Sequence, residues 1–223
     1  MGKGPIEPRL DIISDAICPW CYIGKRQVER ALPLLAEQEL NFSVHWHPFQ
    51  LNPDMPEAGA DRREYRLKKF GSEARIAEMD ARIVKAAAGV GLDFHPELMR
   101  RTPNTVAAHR VIWLAEREGA QDAVVERLFR GYFCEGADIG DADTLTALAA
   151  EAGLARDTVL SFLAGSEGRR EVLSEDAMAR GSGLNGVPSF VMRGHLLFSG
   201  AVPADAMAEA LAKAWRILEA RAA

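Results

Sequence analysis

Cysteine is scarce in this chain: Cys18, Cys21 and Cys134 are the three in 223 residues. A secreted scaffold held by disulfides carries more of them, in even number, so that class is excluded. A structural zinc site is also excluded. The Cys18–Cys21 pair offers two of four ligands, and no second C-x-x-C or H-x3-5-H stands elsewhere to complete the set. There is no basic excess either: 27 Lys and Arg against 32 Asp and Glu leave a net charge of -5. That balance argues against non-specific nucleic-acid binding, which needs a basic surface. No apolar run approaches the ~18–20 residues of a membrane span. Residues 1–9 hold Gly2, Gly4, Pro5, Pro8 and charges in place of the apolar stretch of a signal peptide, so a cytoplasmic setting is expected. Repeats and low-complexity tracts are missing as well. What remains is 48% apolar and 26% charged, the composition of a globular protein with a sizeable core. The length allows one domain, or one domain carrying a large insertion.

Residues 9–14 place Leu10, Ile12 and Ile13 between Pro8 and Asp15 and predict a short strand. Over residues 20–38, Val28, Ala31, Leu32 and Leu35 recur at helical spacing, with Pro33 as a point for a kink. Residues 41–48 alternate Phe42, Val44 and Trp46 with polar side chains, the period of a strand. Residues 49–60 read as a linker, with Pro53, Pro56 and Gly59. Helical patterns then fill 64–90, 104–118, 121–134, 141–152, 156–163 and 168–180. Thr102 and Asp141 are candidate N-caps, and Gly119 and Gly153 candidate stops. After the loop 181–186, strands at 189–192 and 196–199 flank the Arg193-Gly194 turn. Pro203 opens a last amphipathic helix over 204–220. The order β-α-β, helical block, β-β-α predicts an α/β protein, a thioredoxin fold interrupted by a large all-α insertion domain. Residues 1–60 and 181–223 form the split thioredoxin-like part, and 61–180 the insertion.

Cys18-Pro19-Trp20-Cys21 falls at the junction of the first strand and first helix. The nucleophile of thiol chemistry is the thiolate. The first turn of a helix offers unpaired N–H groups and a partial positive charge that favour the anion. Cys18 fits the N-cap and Pro19 the first helical position, where its missing N–H costs nothing. Cys18 is therefore expected to be an exposed nucleophile, and Cys21, one turn on, a buried resolving thiol. Val187-Pro188 before a strand is a candidate cis X-Pro bond that would present the Val187 backbone to an extended substrate. Trp20 is expected to be partly exposed, where an amphipathic ring suits substrate contact.

These residues resemble the FrnE-type branch of the DsbA-like oxidoreductases. The likeness runs through Cys18-Pro19-Trp20-Cys21-Tyr22-Ile23-Gly24-Lys25 and Pro48-Phe49-Gln50-Leu51-Asn52-Pro53. It continues in Asn104-Thr105, Ala108-His109-Arg110 and Gly186-Val187-Pro188-Ser189-Phe190-Val191. The resemblance implies a thioredoxin fold with a helical insertion, disulfide oxidoreductase or isomerase activity and a cytoplasmic setting. It carries Cys18, Cys21 and a cis Pro188 onto this chain as site residues. A neighbouring branch, the 2-hydroxychromene-2-carboxylate isomerases and kappa-class glutathione transferases, binds glutathione and has serine at a motif cysteine. The two cysteines here count against a glutathione-dependent isomerase or transferase, which stands as the alternative.

The lead expectation is thus an enzyme that exchanges dithiols and disulfides on a protein or small-molecule substrate. Its potential is expected between strongly oxidising and thioredoxin-like. A redox-active disulfide takes the place of a cofactor, with glutathione as a candidate co-substrate and a recycling reductant or oxidant as second partner. The competing class is a binding module, holding a partner chain or pairing as a homodimer, with the thiols as a redox sensor. Other residues have plainer readings. His45 and His47 share a strand face but read as its polar edge rather than a metal pair. Cys134 reads as a small buried hydrophobe. His109 is a candidate proton donor facing Cys18, against the plainer reading of a satisfied core histidine. Arg62-Arg63 to Lys68-Lys69 read as a solvated helix face.

Overall fold

The computed structural model describes residues 8–221. In β1 (Arg9–Ser14), Leu10 and Ile12 are almost wholly buried, as apolar side chains in a sheet interior must be. Next come α1 (Pro19–Ala36), which runs through Pro33 and ends three residues later, and β2 (Ser43–Pro48). The helical block comprises α2 (Arg62–Phe70), α3 (Glu73–Ala88), α4 (Val106–Arg117), α5 (Gln121–Glu135), α6 (Ala142–Glu151), α7 (Arg156–Ala164) and α8 (Arg169–Gly181). Two short strands, β3 (Ala60–Asp61) and β4 (Arg101–Thr102), pair within it. The chain closes with β5 (Ser189–Met192), β6 (His195–Ser199) and α9 (Ala204–Ala220).

The main sheet has the order β2-β1-β5-β6. β1 runs parallel to β2, with Ile12 opposite Trp46, and antiparallel to β5, with Ile12 opposite Phe190. The two ends of the sequence therefore meet in the centre of one sheet. Helices α1 and α9 pack together, and α4, α5 and α8 pack against β2. This is the expected thioredoxin fold with its helical insertion.

The helical block differs from the sequence reading at three points. Where the spacing predicts one helix over 64–90, the chain breaks between α2 and α3. Gly71 there takes φ of 93°, a region open to glycine, and the Ser72 side chain caps α3 by accepting from Arg75 N. Thr102 is not an N-cap but part of β4; the Asn104 side chain instead accepts from Val106 N at the start of α4. Asp141 does cap α6, accepting from Thr144 N, and Gly119 and Gly153 end their helices with positive φ. The basic cluster is not all solvated. Arg62 donates to the Tyr132 hydroxyl at 2.9 Å, and Arg66 makes two bonds to Asp80 at 2.8 and 2.7 Å. Planar guanidinium forks find paired acceptors that lysines would not.

Candidate functional site

Cys18 caps the N-terminus of α1 in extended conformation, with Pro19 as the first helical residue. Its backbone N–H donates to Asp15 O at 2.9 Å, closing the turn that delivers β1 into the helix. Contrary to the expectation of an exposed nucleophile, Cys18 is only 3% exposed. The reason lies across the sheet: the Cys18 Sγ faces the Val187 carbonyl oxygen at 3.5 Å, so the loop before β5 covers it. Cys21 is completely buried, and both thiols are free. Burial pushes the Cys21 thiol well above its ordinary pKa, and the adjoining Cys18 sulfur adds to the rise. The Ser14 hydroxyl and the Asp15 N–H work the other way. Trp20 stands 39% exposed beside these buried sulfurs, open to contact from outside.

The Val187-Pro188 bond is cis. Ser189 anchors the start of β5, its hydroxyl donating to Gly186 O at 2.8 Å and lying 2.7 Å from the Ser199 hydroxyl. Gly200 N donates to Pro188 O at 2.8 Å. Pro188 packs onto α1 at Gly24, where an added Cβ would stand 3.1 Å from the proline Cγ. Glycine at position 24 is what lets the loop come this close to the helix carrying the cysteines. A thiol at a helix N-terminus, a second thiol buried behind it and a backbone edge across the sheet is an arrangement suited to disulfide exchange.

The matching family model, a DSBA-like thioredoxin domain, spans residues 9–212. The chain belongs to the DSBA-like thioredoxin domain family. A crystal structure of a probable DsbA oxidoreductase from Streptomyces coelicolor is 31% identical, with a TM-score of 0.82 over 94% of this chain and 90% of that one. The cytosolic disulfide reductase DsbM from Pseudomonas aeruginosa, solved with GSH, shares the fold at 17% identity. It covers 95% of this chain and 99% of its own, with a TM-score of 0.62. The uncharacterized protein YwbO of Bacillus subtilis (strain 168) is 30% identical over 145 residues, 65% of this chain and 66% of that protein. At the coarse level the family is one of DsbA-like oxidoreductases.

The remaining sequence candidates take separate places. His109, on α4, does not line an open groove. It is 3% exposed, with Nε2 3.4 Å from Asp15 Oδ1, and neither atom has a hydrogen-bond partner, so it is a core histidine but not a satisfied one. His45 and His47 have different partners: Glu116 at 2.9 Å for the first, Asp11 and Glu175 at 2.9 and 3.1 Å for the second. Cys134 lies half-buried near the end of α5, its pKa raised chiefly by burial. Among the described residues no helix is long and apolar enough to cross a membrane. Asp15 escaped the sequence reading, where it merely bounded a strand. It is fully buried and receives Leu51 N on Oδ2 at 2.7 Å. An acidic residue directly between a strand and a C-x-x-C was the available signal.

Proposed function

We propose that this protein is a dithiol–disulfide exchanger working through Cys18 and Cys21 in the cytoplasm. The observation carrying the reading is the Cys18 sulfur at the N-terminus of α1, against the Val187 carbonyl, with Cys21 sealed behind it. In the reducing direction the Cys18 thiolate attacks one sulfur of a substrate disulfide, and the other sulfur leaves as a thiolate. Cys21 then loses its proton and attacks Cys18 Sγ. The Cys18–Cys21 disulfide forms and the second substrate thiolate departs, so two electrons have passed from enzyme to substrate. Oxidation of a dithiol is the same sequence reversed, and the potential of the Cys18–Cys21 pair against the glutathione poise sets the direction.

Val187 and Pro188 offer the substrate backbone an edge beside the sulfurs, and Pro19 and Trp20, next to Cys18 at the start of α1, add to the contact surface. The substrate is a protein or small-molecule disulfide, and a cellular thiol or disulfide recycles the enzyme. The GSH in the DsbM structure supports glutathione as co-substrate. The deciding experiment is insulin reduction and refolding of a scrambled disulfide substrate, wild type against Cys18→Ser. Loss of turnover in the variant is expected. Equal turnover by both proteins would remove Cys18 from the chemistry and favour a redox-sensing module. Glutathione-dependent isomerisation that survives Cys21→Ser would favour the isomerase or transferase alternative.

A further inference from the structure

Cys21 has to give up a proton before it can attack Cys18, yet bulk water does not reach it. The groups around its sulfur are the Cys18 thiol, the Ser14 hydroxyl and the Asp15 N–H. Ser14 also borders a small cavity of about 10 Å³ whose wall includes His109, Trp46 and Phe129. That volume is about the least that admits a single water. His109 Nε2 in turn stands 3.4 Å from Asp15 Oδ1, both residues buried and both atoms without a hydrogen-bond partner. Two opposed buried polar atoms left unpaired make a poor structural contact. Facing one another across 3.4 Å, they leave room for a proton to be held between nitrogen and oxygen.

We propose that His109, oriented by Asp15, accepts the Cys21 proton through the Ser14 hydroxyl and the adjoining cavity, a relay that rests on the thiol-exchange reading above. When Cys21 attacks the mixed disulfide, its proton passes to His109 Nε2 and the imidazolium pairs with the Asp15 carboxylate. The Cys18–Cys21 bond forms, and the substrate thiolate leaves and is protonated by solvent. In the reverse direction an incoming thiolate attacks Cys18, and Cys21 departs with the proton returned from His109. Asp15 is a positioning residue in this scheme. Other ionisable groups around the pair are otherwise engaged. His47, on the same cavity, is held by Asp11 and Glu175. Tyr132 of α5 has its phenol pushed up to about 12, chiefly by burial, and receives Arg62 of α2.

Dithiobis(nitrobenzoate) separates the two halves of the reaction. With reduced enzyme in excess, attack by Cys18 releases one coloured thionitrobenzoate and attack by Cys21 releases the second. His109→Gln and Asp15→Asn are expected to slow the second release roughly 100-fold or more at pH 7, within the range of a lost general base. The rate should recover as pH rises and hydroxide takes over. The first release should stay within about threefold of wild type. Ser14→Ala, the smallest change, should slow the second release by a lesser factor. A second release unchanged in rate and pH profile, or both releases slowed alike, would overturn the relay. Should a variant fail the circular-dichroism check for folding, the wild-type second release still decides. An ionisation in its pH profile that the first release lacks supports the relay, and simple proportionality to hydroxide from pH 5 to 9 overturns it. No first release at all in wild type would instead sink the exchange reading itself.

Discussion

At position 47 an imidazole bridges Asp11 of β1 and Glu175 of α8, 2.9 and 3.1 Å from its two ring nitrogens. Burial alone would lower its pKa, but the hydrogen bonds and charges of the two carboxylates outweigh it and raise the value from 6.5 to about 9. A folded pKa above the unfolded one stabilises the fold fully below pH ~6.5, and that contribution disappears as pH climbs through about 9. The displacement corresponds to roughly 3 kcal/mol at most. Urea denaturation across pH 6–10 should show wild type falling towards His47→Gln between about pH 7 and 9.5, with the gap widest at the acidic end. A gap independent of pH would mean that the imidazole is not charged in the native protein.

Among the elements, α1 is the one to which both halves of the molecule attach. Lys25, one turn beyond Cys21, is 2% exposed and pairs with Glu29 on its own helix. From α5 it meets Asp122 at 3.0 Å and Glu126 at 3.4 Å. Arg26 adds a bond to Glu126, and Trp46 Nε1 donates to Asp122 at 3.0 Å, so β2 joins the same network. Lys25→Met keeps most of the side-chain volume and removes the charge, leaving the facing carboxylates to repel one another. Asp122 and Glu126 retain access to water, which limits the damage. A loss of about 1–3 kcal/mol is expected by urea denaturation, recovered in part by a second change, Glu126→Gln. Full additivity of the two substitutions would show that no such network operates.

The same elements show what a sequence can and cannot disclose. Period-2 alternation at Phe42, Val44 and Trp46, and helical spacing along α9, are local patterns; α9 stands where its pattern places it, and β2 starts at Ser43, just after Phe42. β3 and β4 have two residues each, too few for alternation to be visible, and they pair across forty residues. Cys18, Cys21 and Pro188 were legible because their types and spacing are rare together. Asp15 was not, because the His109 that it faces lies 94 positions away in a helix whose pattern speaks only of burial. The covering of Cys18 by Val187 was hidden for the same reason: packing distance is not written in spacing.

On the scale of the whole molecule, one hydrophobic cluster runs without a break from the sheet into the helical block. It includes Leu10 and Ile12 of β1, Tyr22 of α1, Phe129 and Phe133 of α5, and Phe190 of β5. The stacked rings of Tyr22 and Phe129, with centroids 5.0 Å apart, sit in it where α1 meets α5. Two segments sharing one core should lose structure together. Far- and near-ultraviolet circular dichroism are therefore expected to give a single, coincident urea transition. The excised 61–180 segment should be largely unfolded under conditions in which the full chain is native. Two separated transitions would show instead that the insertion holds its own core.

The order β2-β1-β5-β6 also has a consequence for the chain during its synthesis. Cys18 and Cys21 leave the ribosome some 170 residues ahead of β5, the strand that completes the sheet on the other side of β1. At ~5–20 residues per second that interval is on the order of ten seconds or more. Throughout it the nascent chain carries two thiols without the Val187 carbonyl over them and a β1 edge without its partner. The newborn protein is thus a potential client of the chemistry that its mature form is built to perform.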